Sequence, residues 1–383
     1  MRSKTDICGI GAVTAYGWGR ESLWEGLASG VPCAQYTDGF GETPELPGWV
    51  AHIPEGGRSR DGSLHARALL SAAREAIEDA GTRGWSPGRR VGVISGGVRE
   101  DLRTWDRLTH LGEELMYRRE FIGMMPSTPI ASLMSEFGFH GPSMATSAMC
   151  ATGSAAVLTA KMWLDAGMAD DVVVVTTDLS ATRAMVRNFV HCGVAITDTP
   201  PLDACRPFQE GTRGFTFSEA AVAVVLTQRK TDSYATLLGG AMSHEAHNAM
   251  ALDPNPANAI SAVTGALENA NAAAKDVRYL NAHGTGTKLC HRTESQILEA
   301  VFPGSTEIYS IKPLTGHSQS GSALTEIATT CLAAQHDLVP APKPVADGHP
   351  QLMDGPSRPE SGLTVKTSIG MGGYVAAVVL DAA

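Results

Sequence analysis

The sequence predicts an α/β fold, because short apolar strands alternate with helical segments along the whole chain. Residues 171–177 contain four consecutive valines, a pattern typical of a strand that is covered on both faces. Residues 151–166 are small and apolar almost all round, which indicates a buried helix. Glycine accounts for 41 of 383 residues and supplies many turns between these elements. We therefore expect a compact enzyme built on largely parallel sheets.

The first half of the chain opens with a strand that is closed by Gly17 and Gly19. The helix that follows has apolar residues at helical spacing and is expected to stop at Gly81. The strands predicted in this half are 7–13, 90–95, 171–177 and 220–227, and the helices are 63–79 and 151–166.

The second half repeats the same rhythm of strands and helices. Its predicted strands are 235–242, 277–282, 308–311, 363–368 and 374–380, and its helices are 258–273, 292–301 and 320–335. The proline-rich, polar residues 340–359 are expected to form a surface loop. We predict two halves of similar layout, at 1–230 and 231–383, although no repeat is detectable in the sequence itself.

Charge and cysteine usage exclude several classes of protein. The formal net charge is −10 and no run of five basic residues exists, so a nucleic-acid partner is not expected. No apolar run approaches the ~18 residues of a membrane span. The seven cysteines include no CxxC pair, and no signal-peptide pattern precedes the first strand. These features predict reduced thiols and a cytoplasmic location.

The first pattern that could carry chemistry is Ser-Ala-Met-Cys-Ala-Thr-Gly at 147–153. It places Cys150 at the start of a predicted helix, where backbone N–H groups and the helix dipole would stabilise a thiolate. Its small neighbours leave room for a substrate. A buried structural cysteine would give the same local pattern.

Three further patterns follow predicted strands of the second half. His283 enters a Gly/Thr turn, at a strand end of the kind where functional groups gather in α/β sheets. Lys312 and His317 lie in Lys-Pro-Leu-Thr-Gly-His, just before a helix. The glycine-rich residues 368–373 could direct a backbone N–H at an oxyanion, or could simply form a hairpin turn.

Taken together, these motifs resemble the β-ketoacyl-acyl-carrier-protein synthases over the whole chain. Cys150, His283, Lys312 and His317 occur in the family's order, within the contexts HGTGT, KPLTGH and GMGG. The histidine at 317 resembles the elongating Cys-His-His type rather than the Cys-His-Asn initiation type. Thiolases share the fold but carry a second catalytic cysteine near the C-terminus, whereas no cysteine follows Cys331 here.

The resemblance implies a thiolase-like, five-layered α/β/α/β/α fold of two duplicated halves. Residues 1–230 would carry the nucleophile, and 231–383 the histidines and the lysine. The implied activity is that of a 3-oxoacyl carrier-protein synthase, a ketosynthase of fatty acid or polyketide biosynthesis. It condenses a cysteine-bound acyl group with malonyl carrier protein and releases CO₂. The implied partners are an acyl carrier protein and a second subunit, in a homodimer or in a heterodimer with a ketosynthase-like chain.

The resemblance also implies a role for each site residue. Cys150 would be the nucleophile, and its N–H and that of Met371 would form the oxyanion hole. His283 and His317 would support decarboxylation, while Lys312 would act electrostatically together with Glu294. The residues expected to bind substrate are Thr285, Thr287, Ile369 and Met371. No metal or redox cofactor is implied, and the spacing of His283, Cys290 and His291 matches no usual zinc pattern.

Five positions depart from the family's usual residues. His291 replaces an aspartate, Ser218 and Ala220 replace glycines, and Ile369 and Met371 replace phenylalanines. Because methionine is more flexible than phenylalanine, we expect an acyl gate at 371 that opens more easily or admits a different acyl shape. The departures favour a specialised pathway, and they leave open whether the reaction itself changes or only the specificity.

Three alternatives remain at this stage. A homologue of this kind could transfer acyl groups to form an ester or amide without decarboxylation. It could be a chain-length-determining partner subunit, although such subunits typically lack the cysteine. It could also be a pure binding scaffold. An acidic carrier protein would need a local basic patch on this acidic chain, for which Arg58, Arg60 and Arg67 are candidates.

Overall fold

The computed structural model describes residues 4–99, 101–110 and 118–382. Its strands are β1 (Thr5–Thr14), β2 (Gly17–Trp18), β3 (Gln35–Thr37), β4 (Gly48–Val50), β5 (Val91–Gly96), β6 (Ser143–Thr146), β7 (Asp171–Asp178), β8 (Ala220–Thr227), β9 (Ala235–His244), β10 (Val277–Asn281), β11 (Glu307–Tyr309), β12 (Leu363–Gly370) and β13 (Tyr374–Asp381). Its helices are α1 (Arg20–Ser29), α2 (Leu64–Thr82), α3 (Leu102–His110), α4 (Arg118–Gly123), α5 (Ser127–Phe137), α6 (Thr152–Asp165), α7 (Arg183–His191), α8 (Pro201–Ala204), α9 (Ala257–Ala270), α10 (Lys288–Val301), α11 (Lys312–Thr315) and α12 (Ser322–Gln335).

The two halves of the chain have the same sheet topology. The strands lie in the order β6–β5–β7–β8–β1 in the first half and β11–β10–β12–β13–β9 in the second. When the five strands named in each half are numbered along the chain from 1 to 5, both orders read 3-2-4-5-1. β1 pairs with β9 near Ile7 and Ala235, which joins the halves edge to edge. The predicted duplication is confirmed by this common order.

The helices form three layers around the two halves of this sheet. α2 packs on β1, β8 and β7, and α9 packs on β9 and β13 with α10 beside it. α6 and α12 contact each other and strands of both halves, so they form the central layer. Their burial explains why these two helices are small and apolar on nearly all faces. The five-layered α/β fold is therefore confirmed.

The sheets are mixed, so the expectation of largely parallel sheets was wrong. β5 pairs in parallel with β6 and β7, and β10 with β11 and β12. The remaining pairs within each half are antiparallel. β12 and β13 are joined by a turn of only three residues, 371–373, whereas a parallel pair needs a crossover of a dozen or more. The short connection therefore requires antiparallel pairing there.

Most predicted elements of the core are present. The valine-rich strand is β7, whose residues are all buried between α2 on one face and α6 on the other. The elements not predicted from the sequence include β6, a short edge strand of Ser, Met, Ala and Thr, and the helices between 102 and 137. All seven cysteines are free thiols. Within the described ranges, every helix is too short or too polar to cross a lipid bilayer.

Candidate active site

Cys150 lies in the turn between β6 and α6. Met149 has a φ of 50°, a left-handed backbone conformation that non-glycine residues seldom adopt. The Thr152 hydroxyl fastens the turn, since its Oγ accepts the Ala148 N–H at 2.8 Å and donates to the Met149 carbonyl at 2.6 Å. A strained turn held from both sides is typical of a functional site. It places Cys150 in the wall of a cavity.

Gly153 allows the two central helices to approach closely. A Cβ atom at this position would lie 2.5 Å from the backbone nitrogen of Leu324 in α12. Cys150 directly precedes α6, and His317 precedes α12 by a few residues. The close contact at Gly153 therefore brings the loops that carry Cys150 and His317 together.

His317 contacts the Cys150 sulfur directly. Its Nε2 lies 3.1 Å from Cys150 Sγ, and its Nδ1 lies 2.7 Å from the Ser322 hydroxyl oxygen. The His317 N–H donates to the Thr216 carbonyl at 2.8 Å, and the ring packs edge-on against Phe215 at a centroid distance of 4.7 Å. These contacts fix both the position and the orientation of the imidazole.

His283 follows β10 and faces the other histidine. The ring centroids of His283 and His317 are 5.5 Å apart, with the rings nearly perpendicular. Glu294 of α10 accepts the backbone N–H groups of His283 and Gly284, each at 2.7 Å. The carboxylate of Glu294 therefore holds the turn that carries His283.

Lys312 is held by Glu326 and the His283 backbone, and the expectation that Glu294 is its partner was wrong. Its ammonium forms an ion pair with Glu326 Oε1 and donates to the His283 carbonyl at 2.5 Å. The second oxygen of Glu326 lies 2.9 Å from Nζ of Lys366 in β12. All three side chains are fully buried. The carboxylate of Glu326 is thus shared by two lysines directly behind the histidines.

Sequence reasoning missed Glu326 and Lys366, although both carried a signal. Glu326 is the one charged residue of α12, and Lys366 is the one charged residue of β12. Charged groups are almost never fully buried unless they are paired. A single acid and a single base within two otherwise uncharged core elements therefore predict an ion pair between them.

Burial controls the protonation of the site. Burial raises the pKa of the Cys150 thiol to about 11, although the Lys312 charge and the backbone N–H groups of Met371 and Cys150 itself act in the opposite direction. Burial, followed by the Lys312 charge, holds the pKa values of His283 and His317 well below their ordinary range. At neutral pH the site therefore contains a thiol and two neutral imidazoles. The resting thiolate expected from the helix dipole is not favoured.

A cavity of about 490 Å³ opens in front of these groups. This volume lies in the range of small-molecule sites. Cys150, His283 and His317 line the cavity. All four residues expected to bind substrate line it as well, namely Thr285, Thr287, Ile369 and Met371. Phe189, Phe215 and Gln319 also line the cavity, which the sequence did not predict.

The other departures from the family's usual residues lie around the site. His291 Nδ1 accepts the Phe208 N–H at 3.1 Å, and burial lowers the pKa of this imidazole, so it anchors backbone as a neutral group. Ser218 donates its N–H to the His317 carbonyl at 3.1 Å, and Ala220 begins β8. His291, Ser218 and Ala220 therefore lie in the backbone that surrounds the site, whereas Ile369 and Met371 line the cavity itself.

The Cys150, His283 and His317 ligand atoms lie within 4.8 Å of one another, close enough to hold a metal ion. However, the buried cluster behind these groups consists of Lys312, Lys366 and the Glu326 carboxylate that they share. This cluster has no excess negative charge that would favour binding of a cation. The arrangement fits nucleophilic chemistry at sulfur, with neutral imidazoles as hydrogen-bond partners.

Family models match most of the chain. The "Beta-ketoacyl synthase, N-terminal domain" model matches residues 59–232, and the "Beta-ketoacyl synthase, C-terminal domain" model matches residues 234–345. The first matched range includes Cys150, and the second includes His283, Lys312 and His317.

Curated relatives and solved structures agree with these matches. The chain is 28% identical to the tetracenomycin polyketide synthase ketoacyl synthase alpha subunit of Streptomyces glaucescens, over 87% of this chain and 85% of that protein. It is 27% identical to 3-oxoacyl-[acyl-carrier-protein] synthase 2 of Staphylococcus aureus, over 83% and 82%.

Two solved structures share the fold. The first is a ketosynthase bound to a hexaketide, in complex with its type II polyketide synthase acyl carrier protein (TM-score 0.85, 20% identity, 100% of both chains). The second is a ketosynthase in complex with its chain length factor from Xenorhabdus doucetiae (TM-score 0.86, 22% identity, 100% of this chain and 98% of that one).

Proposed function

Because this chain belongs to the β-ketoacyl synthase family and is a ketosynthase, we propose that Cys150 is its acyl-accepting nucleophile. The observation that carries this assignment is the 3.1 Å contact between Cys150 Sγ and His317 Nε2, with a second neutral imidazole beside it. The sulfur attacks the thioester carbonyl of an acyl carrier protein. The pantetheine sulfur leaves as a thiol, because it takes up the proton that the Cys150 thiol loses.

The backbone N–H groups of Cys150 and Met371 form the proposed oxyanion hole. Both N–H groups favour the anionic form of the Cys150 sulfur and so act against the effect of burial on its pKa, which supports this assignment. Fixed donors of this kind stabilise the oxyanion of the tetrahedral intermediate without any reorganisation. Thr285 and Thr287 line the cavity and would hydrogen-bond the pantetheine arm.

In the second half-reaction, malonyl carrier protein loses CO₂ and becomes an enolate. Neutral His283 and His317 each have one N–H to donate to the enolate oxygen, and neither is acidic enough to quench the carbanion. The enolate carbon attacks the acyl-cysteine and forms the new carbon–carbon bond. Cys150 leaves as a thiolate and takes up one proton, and a 3-oxoacyl carrier protein is released. The proposed reaction uses no metal or redox cofactor.

Lys312 has an electrostatic role in this proposal. Its charge lowers the pKa values of both histidines and opposes the burial effect at Cys150. The positive charge therefore adds to the effect of burial in keeping the imidazoles neutral, and it favours the anions that form during catalysis. Glu294 contributes indirectly, because it holds the backbone turn that positions His283.

We further propose an acyl carrier protein and a second subunit as partners, and a cytoplasmic location. The two related structures contain a ketosynthase with its carrier protein and one with its chain length factor. Among the candidate docking arginines, Arg67 pairs with Glu55 at 2.9 Å, and Arg58 is half-exposed with Glu136 at 3.8 Å. The homodimer and the heterodimer can be distinguished by the mass of the purified protein in solution, alone and after co-expression with a ketosynthase-like chain.

Intact-mass measurements with acyl carrier protein and malonyl carrier protein test the assignment. We expect the acyl mass on Cys150, release of CO₂ and a 3-oxoacyl product, and no acylation in Cys150→Ala. Acylation without loss of CO₂ would instead indicate ester or amide formation. No acylation with any carrier-bound acyl group would favour a chain-length partner subunit.

A further inference from the structure

A buried hydroxyl lies behind the imidazole that contacts the nucleophile. Ser322 is the first residue of α12, and its Oγ lies 2.7 Å from His317 Nδ1. The other ring nitrogen, Nε2, lies 3.1 Å from Cys150 Sγ. Ser322, His317 and Cys150 therefore form one continuous line of polar contacts, and all three residues are buried.

The hydrogen bonds around Ser322 favour one direction for this line. Ser322 Oγ accepts the N–H of Ser318 at 3.0 Å, and a serine hydroxyl has one proton of its own to donate. Two acceptors lie near that proton, His317 Nδ1 at 2.7 Å and the Ser318 hydroxyl at 3.3 Å. Of these two contacts, the one to Nδ1 is shorter and is therefore the better place for the Ser322 proton. Donation to Nδ1 leaves the imidazole proton on Nε2.

The choice of tautomer matters because the ring has only one proton. A cationic imidazole would donate from both nitrogens, but burial and the nearby lysines hold the pKa of His317 well below its ordinary range. With the proton on Nε2, the ring presents a donor to the Cys150 sulfur and to a thioester oxygen in the cavity. With the proton on Nδ1, the ring would present an acceptor to both, and it could not stabilise an enolate.

We propose that Ser322 is a positioning residue that holds His317 in the Nε2–H tautomer, and so turns it into a hydrogen-bond donor for decarboxylation. This inference rests on the proposed function for the role of the donor, whereas the tautomer itself is independent of it. Among the described residues, Ser322 supplies the polar contact to Nδ1. Removing this hydroxyl should therefore release the ring to exchange between its two neutral forms.

Nitrogen-15 NMR of histidine-labelled full-length protein at neutral pH tests the tautomer directly. The His317 signals are assigned from their absence in His317→Asn. We expect a protonated, pyrrole-type Nε2 and an unprotonated, pyridine-type Nδ1 in the wild type. Ser322→Ala should show averaged signals of both tautomers, and Ser322→Thr should restore the wild-type pattern. An Nδ1–H tautomer in the wild type, or an unchanged spectrum in Ser322→Ala, would overturn the proposal.

Partial reactions separate this effect from general damage to the site. In Ser322→Ala we expect malonyl carrier-protein decarboxylation to fall about five- to tenfold, the worth of one hydrogen bond. Acyl transfer to Cys150 should fall by less. Ser318→Ala is the matched control, since it removes a neighbouring hydroxyl but keeps the N–H that Ser322 accepts. Equal loss of both partial reactions, or an equal effect in Ser318→Ala, would count against Ser322. An Nε2–H tautomer with no decarboxylation in the wild type would instead count against the proposed function.

Discussion

Replacing Glu326 by Gln should destabilise the protein severely, because it leaves two buried ammonium groups without a counter-ion. The Glu326 carboxylate bridges Lys312 and Lys366, and the lysine side chains are 0% exposed. Breaking a buried ion pair by removing one partner costs about 3–5 kcal/mol. Here one change removes the partner of two cations at once. We therefore expect Glu326→Gln to lower the free energy of unfolding by at least about 3–5 kcal/mol.

Replacing Lys366 by Met should be much milder. The change removes a buried ammonium whose desolvation costs several kcal/mol, and it leaves Lys312 and Glu326 as a neutral pair. It also removes the ion pair between Nζ and Glu326, and the hydrogen bond from Nζ to the Thr367 carbonyl, which is worth about 1 kcal/mol. These effects oppose each other, so the net change should stay within about 1–2 kcal/mol.

Urea unfolding of the two single variants and the double variant measures these differences. Glu326→Gln/Lys366→Met should regain part of the stability lost in Glu326→Gln, because only Lys312 is left unpaired. Asp198→Asn is a control for a surface pair, since Asp198 and Arg213 are both more than 40% exposed and should contribute at most about 1 kcal/mol. A Lys366→Met variant as unstable as Glu326→Gln, or a Glu326→Gln variant no less stable than the control, would contradict a shared buried counter-ion.

Three further changes test the packing, the gate and the protonation of the site. Gly153→Ala should cost about 2 kcal/mol by overpacking and reduce acylation. Gly265→Ala, where a Cβ would lie 3.5 Å from the Cβ of Ala241, should be neutral in urea unfolding, and equal effects of the two changes would contradict the close helix contact. Met371→Phe should narrow the range of acyl chains accepted in competition assays with mixed acyl carrier proteins, and an unchanged profile would reject the gate. Because the pKa of Cys150 is raised to about 11, its alkylation by iodoacetamide should rise roughly tenfold per pH unit between about pH 7 and 10, and a plateau near pH 7 would show that the thiolate already exists at rest.

The residues at the ends of strands could be predicted from the sequence. Cys150, His283 and His317 each lie in a turn next to a core element, and the turns carry small residues or glycines in unusual conformations. At Gly316 a Cβ would lie 2.7 Å from the Cβ of Ser218, so the sequence must keep glycine beside His317. Local chemistry of this kind leaves a clear pattern in the chain, and the topology then brings the turns together.

The partners of these residues could not be predicted in the same way. Lys312 pairs with Glu326 rather than Glu294 because α12 places Glu326 between Lys312 and β12, and that placement depends on how the helix packs. The contact between Ser322 and His317 depends on packing as well, because Ser322 lies in the first turn of the same helix. The protonation of Cys150 also depends on packing, since burial outweighs the helix N-terminus that the sequence suggested.

The duplicated fold explains why the site needs both halves of the chain. Cys150 lies between β6 and α6 in the first half of the chain. His317 lies between β11 and α12, the corresponding strand and helix of the second half. The two helices, α6 and α12, contact each other in the central layer, and each also packs on strands of both halves. The corresponding loops therefore meet at one end of this helix pair. One copy of the loop supplies the nucleophile and the other supplies its imidazole, so neither half alone could assemble the reaction.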